Sequence, residues 1–123
     1  MTEAEALVMR LLKALEARDF DTAAACFAPG GQMVFPGGAI FATLDQLIDW
    51  ARPRYQRVAK RIERMDTAEA ADGTVVICQG TLHGLWPDGT PFEGIRFADW
   101  FLIRDGLIVR QHVWNDLAEN RGA

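Results

Sequence analysis

The chain has 123 residues, of which 50% are hydrophobic and 24% are charged, and its formal net charge is −4. This length and composition predict a single soluble domain, residues 1–123, that can bury a core of its own. The negative charge argues against nucleic acid or an anionic membrane as a partner. The sequence shows neither a run of 18 apolar residues nor a signal-peptide pattern, so we expect a cytoplasmic protein without a membrane span.

Motifs that would indicate a cofactor or a metal are absent from the sequence. It contains no phosphate-binding loop, dinucleotide-binding, nucleophile-elbow or zinc-protease motif. The spacing of His83 and His112 matches no zinc or iron signature. Cys26 and Cys78 lie far apart without C-x-x-C spacing, which favours buried, reduced thiols over a disulfide. We therefore expect no cofactor and no metal site.

The N-terminal third of the chain carries helix signals. Thr2 and Glu5 have the spacing of a capping box. Apolar residues then recur at helical spacing at Val8, Leu11, Leu12 and Leu15. Asp19 is placed to cap a second, shorter helix whose buried stripe runs to Phe27. The Pro-Gly-Gly sequence at 29–31 is expected to end that helix.

A short strand and a third helix come next. Residues Gln32–Phe35 predict a strand, which the Pro-Gly-Gly sequence at 36–38 closes. The third helix begins near Thr43, and its apolar spacing continues to Tyr55. Pro53 has no backbone N–H to donate, so this helix is expected to kink or end there.

The second half of the chain predicts an antiparallel meander. The expected strands are about Val58–Ala70, Thr74–Trp86, Thr90–Ile103 and Leu107–Asn115. Asp-Gly pairs at 72–73, 88–89 and 105–106 separate them, and such pairs are typical of tight hairpin turns. Helices followed by a long, twisted antiparallel sheet indicate an α+β fold. With the helices packed in the concave face of the strongly curved sheet, a pocket is expected at one end.

Two segments carry a resemblance to a known family. ALEARDFDTAAACF, Ala14–Phe27, is similar to the helical entry of the nuclear-transport-factor-2-like (NTF2-like) superfamily, and RDGLIVRQHVWND, Arg104–Asp116, resembles its last hairpin. Within that superfamily the chain looks like the SnoaL-like proteins. The resemblance implies a cone-shaped α+β fold, shared by polyketide cyclases, ketosteroid isomerases, epoxide hydrolases, dehydratases and non-enzymatic binding modules. Such a fold does not determine the function.

The resemblance also assigns places to individual residues. Asp99 falls where ketosteroid isomerases of this fold hold a protonated carboxylic acid in their oxyanion hole. Leu11 stands in place of their tyrosine, and Phe35 in place of their basic aspartate. Val113 stands where cyclases and epoxide hydrolases of the fold carry an acid. The resemblance therefore implies a pocket with one acid, Asp99, and without the partners of those mechanisms.

The orientation of Asp99 depends on the turn at Asp105-Gly106. A two-residue loop pairs Asp99 with His112, and a three-residue loop pairs it with Gln111. We favour the three-residue loop. It places Phe97, Asp99, Phe101, Val109, Gln111 and Val113 on the inner face of the sheet. It places Trp100, Ile108, Arg110, His112 and Trp114 on the outer face, and Trp100, Ile108 and Trp114 then predict a homodimer through this convex face.

Asp99 is the main candidate for chemistry. Its aromatic neighbours Phe97 and Phe101 exclude water, so the pKa of Asp99 is expected to lie above its usual value. Asp99 is either a general acid or oxyanion donor, or a structural acid hydrogen-bonded to Gln111 or a helix end. His83, on the neighbouring strand, is a candidate general base with Asp99 as its orienting partner, or else a half-buried structural histidine.

Aromatic and apolar residues complete the expected pocket. Its ligand-binding residues are predicted to be Phe35, Trp50, Tyr55, Phe97, Phe101, Gln111 and Val113. A basic cluster is interpreted as a solvated rim and comprises Arg52, Arg54, Arg57, Lys60, Arg61 and Arg64. The function expected from these residues is the binding of a small, mostly apolar organic molecule, with cofactor-independent isomerase, cyclase or dehydratase chemistry if the protein is an enzyme. The alternative is a non-catalytic binding or accessory module.

Overall fold

The computed structural model describes residues 1–120 and contains a six-stranded sheet and four helices. The helices are α1 (Glu3–Glu16), α2 (Phe20–Ala25), α3 (Leu44–Ala51) and α4 (Leu117–Asn120). The strands are β1 (Phe27–Phe35), β2 (Ala39–Phe41), β3 (Arg57–Ala70), β4 (Gly73–Leu85), β5 (Pro91–Arg104) and β6 (Leu107–Asn115). The strand order is β2-β1-β6-β5-β4-β3. β1 pairs with β6 in parallel, and every other neighbouring pair is antiparallel.

The predicted α+β architecture is confirmed. The sheet is curved, and the apolar stripe of α1 packs against its inner face. The resulting core joins Val8 and Leu11 of α1 to Val76 of β4, Phe101 of β5 and Ile108 of β6, all of which are fully buried. Removing such apolar surface from water is the main force that holds the helix against the sheet.

The helix starts follow the sequence signals. The Thr2 hydroxyl accepts a hydrogen bond from the Glu5 backbone N–H, and the Glu5 side chain accepts one from the Thr2 backbone N–H, which completes the capping box of α1. The Asp19 carboxylate accepts from the Thr22 backbone N–H at 3.3 Å and caps α2. Thr43 caps α3 in the same manner as Thr2 caps α1.

Three expectations about the first half of the chain are wrong in detail. The second helix ends at Ala25, and Phe27 already belongs to β1. The Pro-Gly-Gly sequence at 29–31 therefore lies inside a strand, where the pairing with β6 is irregular. Strand β2 was not predicted. The third helix ends at Ala51, in agreement with the expected kink or end at Pro53, and Tyr55 lies in the loop that follows.

The hairpin between β5 and β6 begins in the two-residue register and then departs from both expected registers. Asp105 and Gly106 have φ of 53° and 75° and form a two-residue turn, so Arg104 faces Leu107. The pairing then shifts between Leu102 and Ile103, where β6 carries an extra residue, Val109. Asp99 consequently lies opposite Val113, and the predictions that it faces Gln111 or His112 are both wrong.

This shift changes the composition of the two sheet faces. Ile108 is fully buried in the core, so its predicted place on the convex face is wrong. Asp99, Gln111 and Val113 all lie buried on the inner side, as expected. The bulge at Val109 allows Ile108 and Gln111 to face the same side of the sheet. Without the extra residue, regular alternation would turn these two side chains to opposite faces.

A second bulge lies in β3 and depends on a glycine in β4. The pairing of the two strands shifts between Ile62 and Arg64. Gly80, opposite this point, is so close to β3 that a Cβ atom there would lie 1.9 Å from the Arg61 carbonyl oxygen. Because the obstructing atom belongs to the backbone, a side chain at position 80 requires the strands to move apart.

We expect Gly80→Ala to destabilise the fold by about 2–3 kcal/mol, the range of severe overpacking. Urea unfolding checks this. Gly94→Ala is the matched control, because a Cβ atom there meets nothing within 4 Å and only the positive φ of 72° opposes it, at a cost of about 1 kcal/mol. Equal losses for the two variants would contradict a steric role for Gly80.

Candidate functional site

The inner face of the sheet, α1, α3 and the loop after α3 enclose a cavity of about 440 Å³. This volume lies within the range of small-molecule sites. Five of the predicted ligand-binding residues line it, namely Phe35, Trp50, Tyr55, Gln111 and Val113. The cavity therefore occupies the place that the sequence predicts for a pocket.

One wall of the cavity is aromatic. The Phe35 and Trp50 rings meet edge to face with their centroids 5.3 Å apart, and Phe41 supports both rings at 5.6 and 5.5 Å. Such contacts fix the rings beyond simple burial. The wall therefore offers a rigid apolar surface for a flat organic molecule.

Lys60 brings a charge to the floor of this cavity. In β3, Val58, Lys60 and Ile62 alternate onto the inner face, and the regular pairing of Lys60 with buried Leu82 fixes that orientation. Lys60 Nζ lies 5.0 Å from the centroid of the Phe97 ring. The ammonium donates a hydrogen bond to Asp99 Oδ2 and forms an ion pair with it. Only 17% of the Lys60 side chain is exposed.

The Asp99 carboxylate lies below the cavity surface, where it contacts the Lys60 ammonium group. Its side chain is fully buried, and this burial raises the pKa of Asp99 above its ordinary value, while the Lys60 ammonium and the neighbouring Gln111 amide oppose the rise. The structure thus agrees with the predicted direction of the shift but adds a cationic partner that the sequence did not reveal.

Gln111 supplies an uncharged polar group beside this pair. Its side chain is 1% exposed and lines the cavity. Within residues 1–120, Gln111 Oε1 and Asp99 Oδ1 are both buried without a hydrogen-bond partner. A buried, unpaired carbonyl oxygen is costly, and a ligand hydroxyl or N–H donor would satisfy it. The floor therefore presents a donor, Lys60, and an acceptor, Gln111.

The remaining predicted site residues lie away from the cavity surface. Phe97 and Phe101 share the inner face with Asp99 but are buried in the core. His83 pairs with Ala59, between the inward pairs that Lys60 and Val58 form, so its side chain lies on the outer face. It does not line the cavity. Among the described residues no hydrogen bond joins His83 to Asp99, so the structure gives no support to the two as base and orienting partner.

The charged lining of the cavity is mostly basic. Within the part of the chain that the structure describes, its basic residues are Arg18, Arg52, Arg54, Arg57 and Lys60, and its acidic residue is Glu16. The Arg54 guanidinium carbon lies 3.9 Å from the centroid of the Trp50 ring. The basic cluster expected to form a solvated rim thus divides in the structure, because its members before Arg61 border the cavity.

Lys60 and Glu16 are the residues that sequence reasoning missed. The signal for Lys60 was its position between Val58 and Ile62, two apolar residues at strand spacing. Glu16 ends α1, and its Oε1 accepts a hydrogen bond from the Lys60 backbone N–H at 2.8 Å. No group of three metal-ligating side chains occurs within residues 1–120. Across the same residues, every helix is too short or too polar to span a membrane.

Comparison with solved structures finds the same fold at low sequence identity. An NTF2-like protein of unknown function from Burkholderia pseudomallei K96243 has a TM-score of 0.79 at 17% identity, over 98% of this chain and 95% of that one. A candidate SnoaL-like polyketide cyclase from Jannaschia sp. CCS1 has a TM-score of 0.74 at 19% identity, over 96% and 88%. A hypothetical protein with a ketosteroid isomerase-like fold, from Catenulispora acidiphila DSM 44928, has a TM-score of 0.69 at 19% identity, over 88% and 83%.

These likenesses confirm the cone-shaped NTF2-like fold. A sequence search among functionally curated proteins finds no match. The sequence model of the SnoaL-like domain matches residues 8–111, which include the C-terminal part of α1, the cavity-lining part of β3 and most of the β5–β6 hairpin. Since this match covers most of the chain and agrees with the fold, the chain belongs to the SnoaL-like domain family.

Proposed function

We propose that this domain binds a small, mostly apolar organic molecule in its cavity and catalyses a cofactor-independent proton transfer on it. The observation that carries the proposal is the Lys60–Asp99 ion pair at the floor of an aromatic cavity. A buried carboxylate that holds a lysine ammonium at the surface of a cavity is a feature of many acid–base sites.

Lys60 has the properties of an oxyanion stabiliser. Asp99 and the Phe97 ring hold its ammonium in place before any ligand arrives. When a carbon next to a carbonyl loses a proton, negative charge develops on the carbonyl oxygen. A pre-positioned ammonium stabilises that charge more than it stabilises the neutral ketone, and this difference lowers the barrier.

Glu16 is the candidate base. It is the one acidic side chain among the described residues that line the cavity, and its hydrogen bond to the Lys60 backbone N–H holds its exposed carboxylate beside β3. In this scheme Glu16 accepts the carbon-bound proton and can return it to another carbon, while Lys60 stabilises the enolate. Isomerisation, cyclisation and dehydration next to a carbonyl all use this step.

A non-catalytic binding or accessory module is the second candidate. The observation in its favour is the complete burial of Asp99, which has no surface in contact with the cavity. In that case Lys60 and Gln111 only orient a polar group of the ligand, and no proton moves.

We also propose a homodimer through the convex face of the sheet. Ile77 and Trp114 are 43% and 56% exposed there, and the His112 ring packs between Trp100 and Trp114, with centroids 5.3 and 5.7 Å away. Partial burial, with the nearby positive charge of Arg110 adding to it, lowers the pKa of His112 and so favours its neutral imidazole form. A patch dominated by tryptophan and isoleucine side chains can pack against its own copy, which suits a two-fold contact with a second subunit. The free thiols of Cys26 and Cys78 favour a cytoplasmic location.

Hydrogen–deuterium exchange on a model ketone separates the two candidate functions. With 2-tetralone in D₂O, we expect the protein to accelerate exchange next to the carbonyl, followed by NMR. Lys60→Met in an Asp99→Asn background should reduce the acceleration about 100-fold, and Glu16→Gln should do the same. Lys13→Met, on the exposed side of α1, is the control. Binding of 2-tetralone without accelerated exchange would support the binding module instead.

Removal of Lys60 should produce a pH-dependent loss of stability. Near neutral pH, we expect Lys60→Met to cost about 3–5 kcal/mol, because a buried carboxylate loses its partner. Burial already raises the pKa of Asp99, and without Lys60 it rises further. The stabilising contribution of a raised pKa is complete below the unfolded value of about 3.9 and is lost as pH rises through the folded value. The cost of Lys60→Met should therefore be small near pH 4 and grow with pH.

Urea unfolding of Lys60→Met at several pH values measures this trend. The control is the double variant Lys60→Met/Asp99→Asn, which has no carboxyl group at position 99 and should therefore lack the loss of stability that grows with pH in Lys60→Met. A loss in Lys60→Met that is equally large near pH 4 and near pH 8 would show that packing, not the charge on Asp99, dominates.

Light scattering tests the dimer. We expect about twice the 13.7 kDa chain mass, and Trp114→Glu should shift the protein toward the monomer because it buries a charge in each half of the interface. Arg104→Glu, at the exposed hairpin end, is the control. A monomeric wild type at micromolar concentration would exclude this interface.

A further inference from the structure

The distribution of charge around the cavity indicates what the ligand carries. The whole chain is acidic, with a formal net charge of −4, yet among residues 1–120 the cavity lining holds five basic side chains and one acidic one. A local excess of positive charge in an acidic protein is not accounted for by overall composition. It concentrates anions at this site.

The basic lining residues differ in whether their side chains already have an ion-pair or hydrogen-bond partner. Lys60 is paired with Asp99, and Arg52 with Asp49 at 3.4 Å. Arg18 donates to the Gln56 carbonyl oxygen at 2.8 Å. These three have partners. Lys60 in particular can donate a hydrogen bond to a ligand but adds little net charge.

Arg54 and Arg57 are different, because neither forms an ion pair with a carboxylate within residues 1–120. Arg57 is exposed, whereas Arg54 is half-buried and stacks on Trp50. Stacking uses the flat face of a guanidinium and leaves its edge free to donate. Arg54 Nε is in fact buried with no acceptor among the described residues.

An unpaired guanidinium edge beside an aromatic wall fits one ligand group well. Guanidinium and carboxylate are planar, carry opposite charges and can form two parallel hydrogen bonds. A ligand carboxylate would satisfy the orphaned donor of Arg54, while an attached ring would lie against Trp50 and Phe35. A neutral ligand would leave the positive charge at this edge unbalanced.

We propose that the ligand of this cavity is an apolar organic acid, whose ring system lies on the aromatic wall and whose carboxylate is bound by Arg54, with Arg57 adding to the attractive field. This inference rests on the proposed binding function and narrows its ligand class. Lys60 and Gln111 then bind a second oxygen atom of the same ligand at the floor of the cavity. Arg54 acts as a specificity-determining residue, separate from the proton-transfer groups.

A matched pair of probes tests this proposal. 2-Naphthoate and 2-naphthamide have nearly the same shape and differ in charge, and calorimetric titration compares their affinities. We expect the wild type to bind the acid roughly ten-fold or more tightly than the amide, the scale of one charge-assisted pair. The preference should shrink as ionic strength rises from about 0.01 to about 0.15 M, since the screening length falls from about 30 to about 8 Å.

Variants of Arg54 assign the preference to one side chain. Arg54→Gln should reduce it to about two-fold or less and change the affinity for the amide little, whereas Arg54→Lys, which keeps the charge, should retain part of it. Arg61→Gln is the matched control, because Arg61 lies on the same basic stretch but does not line the cavity. It should leave both affinities unchanged.

The outcomes also separate this inference from the function on which it rests. If the amide binds as tightly as the acid, or if Arg54→Gln weakens both equally, the organic-acid proposal is wrong while the binding function stands. If 2-naphthoate, 2-naphthamide and 2-tetralone all fail to bind the wild type, the binding function is wrong and the organic-acid proposal falls with it. The comparison of the two probes on the wild type needs no variant, so it holds even if Arg54→Gln does not fold.

Discussion

The pairing of Lys60 with Asp99 is the constraint on which the interior of this domain depends. Two opposite charges lie on different strands of one sheet, between the core that α1 covers and the cavity. Taking both from water is expensive, and their attraction repays the cost only while the geometry is kept. The pair therefore selects one arrangement of β3 relative to β5. A purely apolar interior would tolerate slippage that this interior cannot.

The architecture followed from the sequence because its signals are local. Capping residues marked the helix starts at Thr2, Asp19 and Thr43, and the Asp-Gly turns divided the meander. The register of the last hairpin could not be predicted in the same way, because the bulge at Val109 has no local sequence signature. The bulge reverses which side chains of β6 face the core. Tyr55 was assigned to a helix because its spacing continued the apolar pattern beyond a proline that stops the helix.

The candidate site was only half predictable. Asp99 stood out because a lone acid among aromatic residues needs an explanation, and the aromatic lining followed from the expected fold. Its partner did not stand out, because Lys60 lies 39 residues away in sequence within a run of basic residues. Sequence alone gives no reason to distinguish one inward lysine from five arginines nearby. Only the strand alternation fixed by the pairing of β3 with β4 makes that distinction.

The extra residue in β6 has a consequence for how this strand can change in evolution. Before the bulge, the side chain at an even-numbered position, Ile108, faces the inner side of the sheet. After Val109, the side chains at the odd-numbered positions Gln111 and Val113 face that side. The bulge acts as a phase shift within one strand. If Val109 were deleted, Ile108 and Gln111 could no longer face the same side of the sheet. Either the core or the cavity floor would then lose its side chains. The length of this strand is therefore under tighter constraint than the identity of the residue that lengthens it.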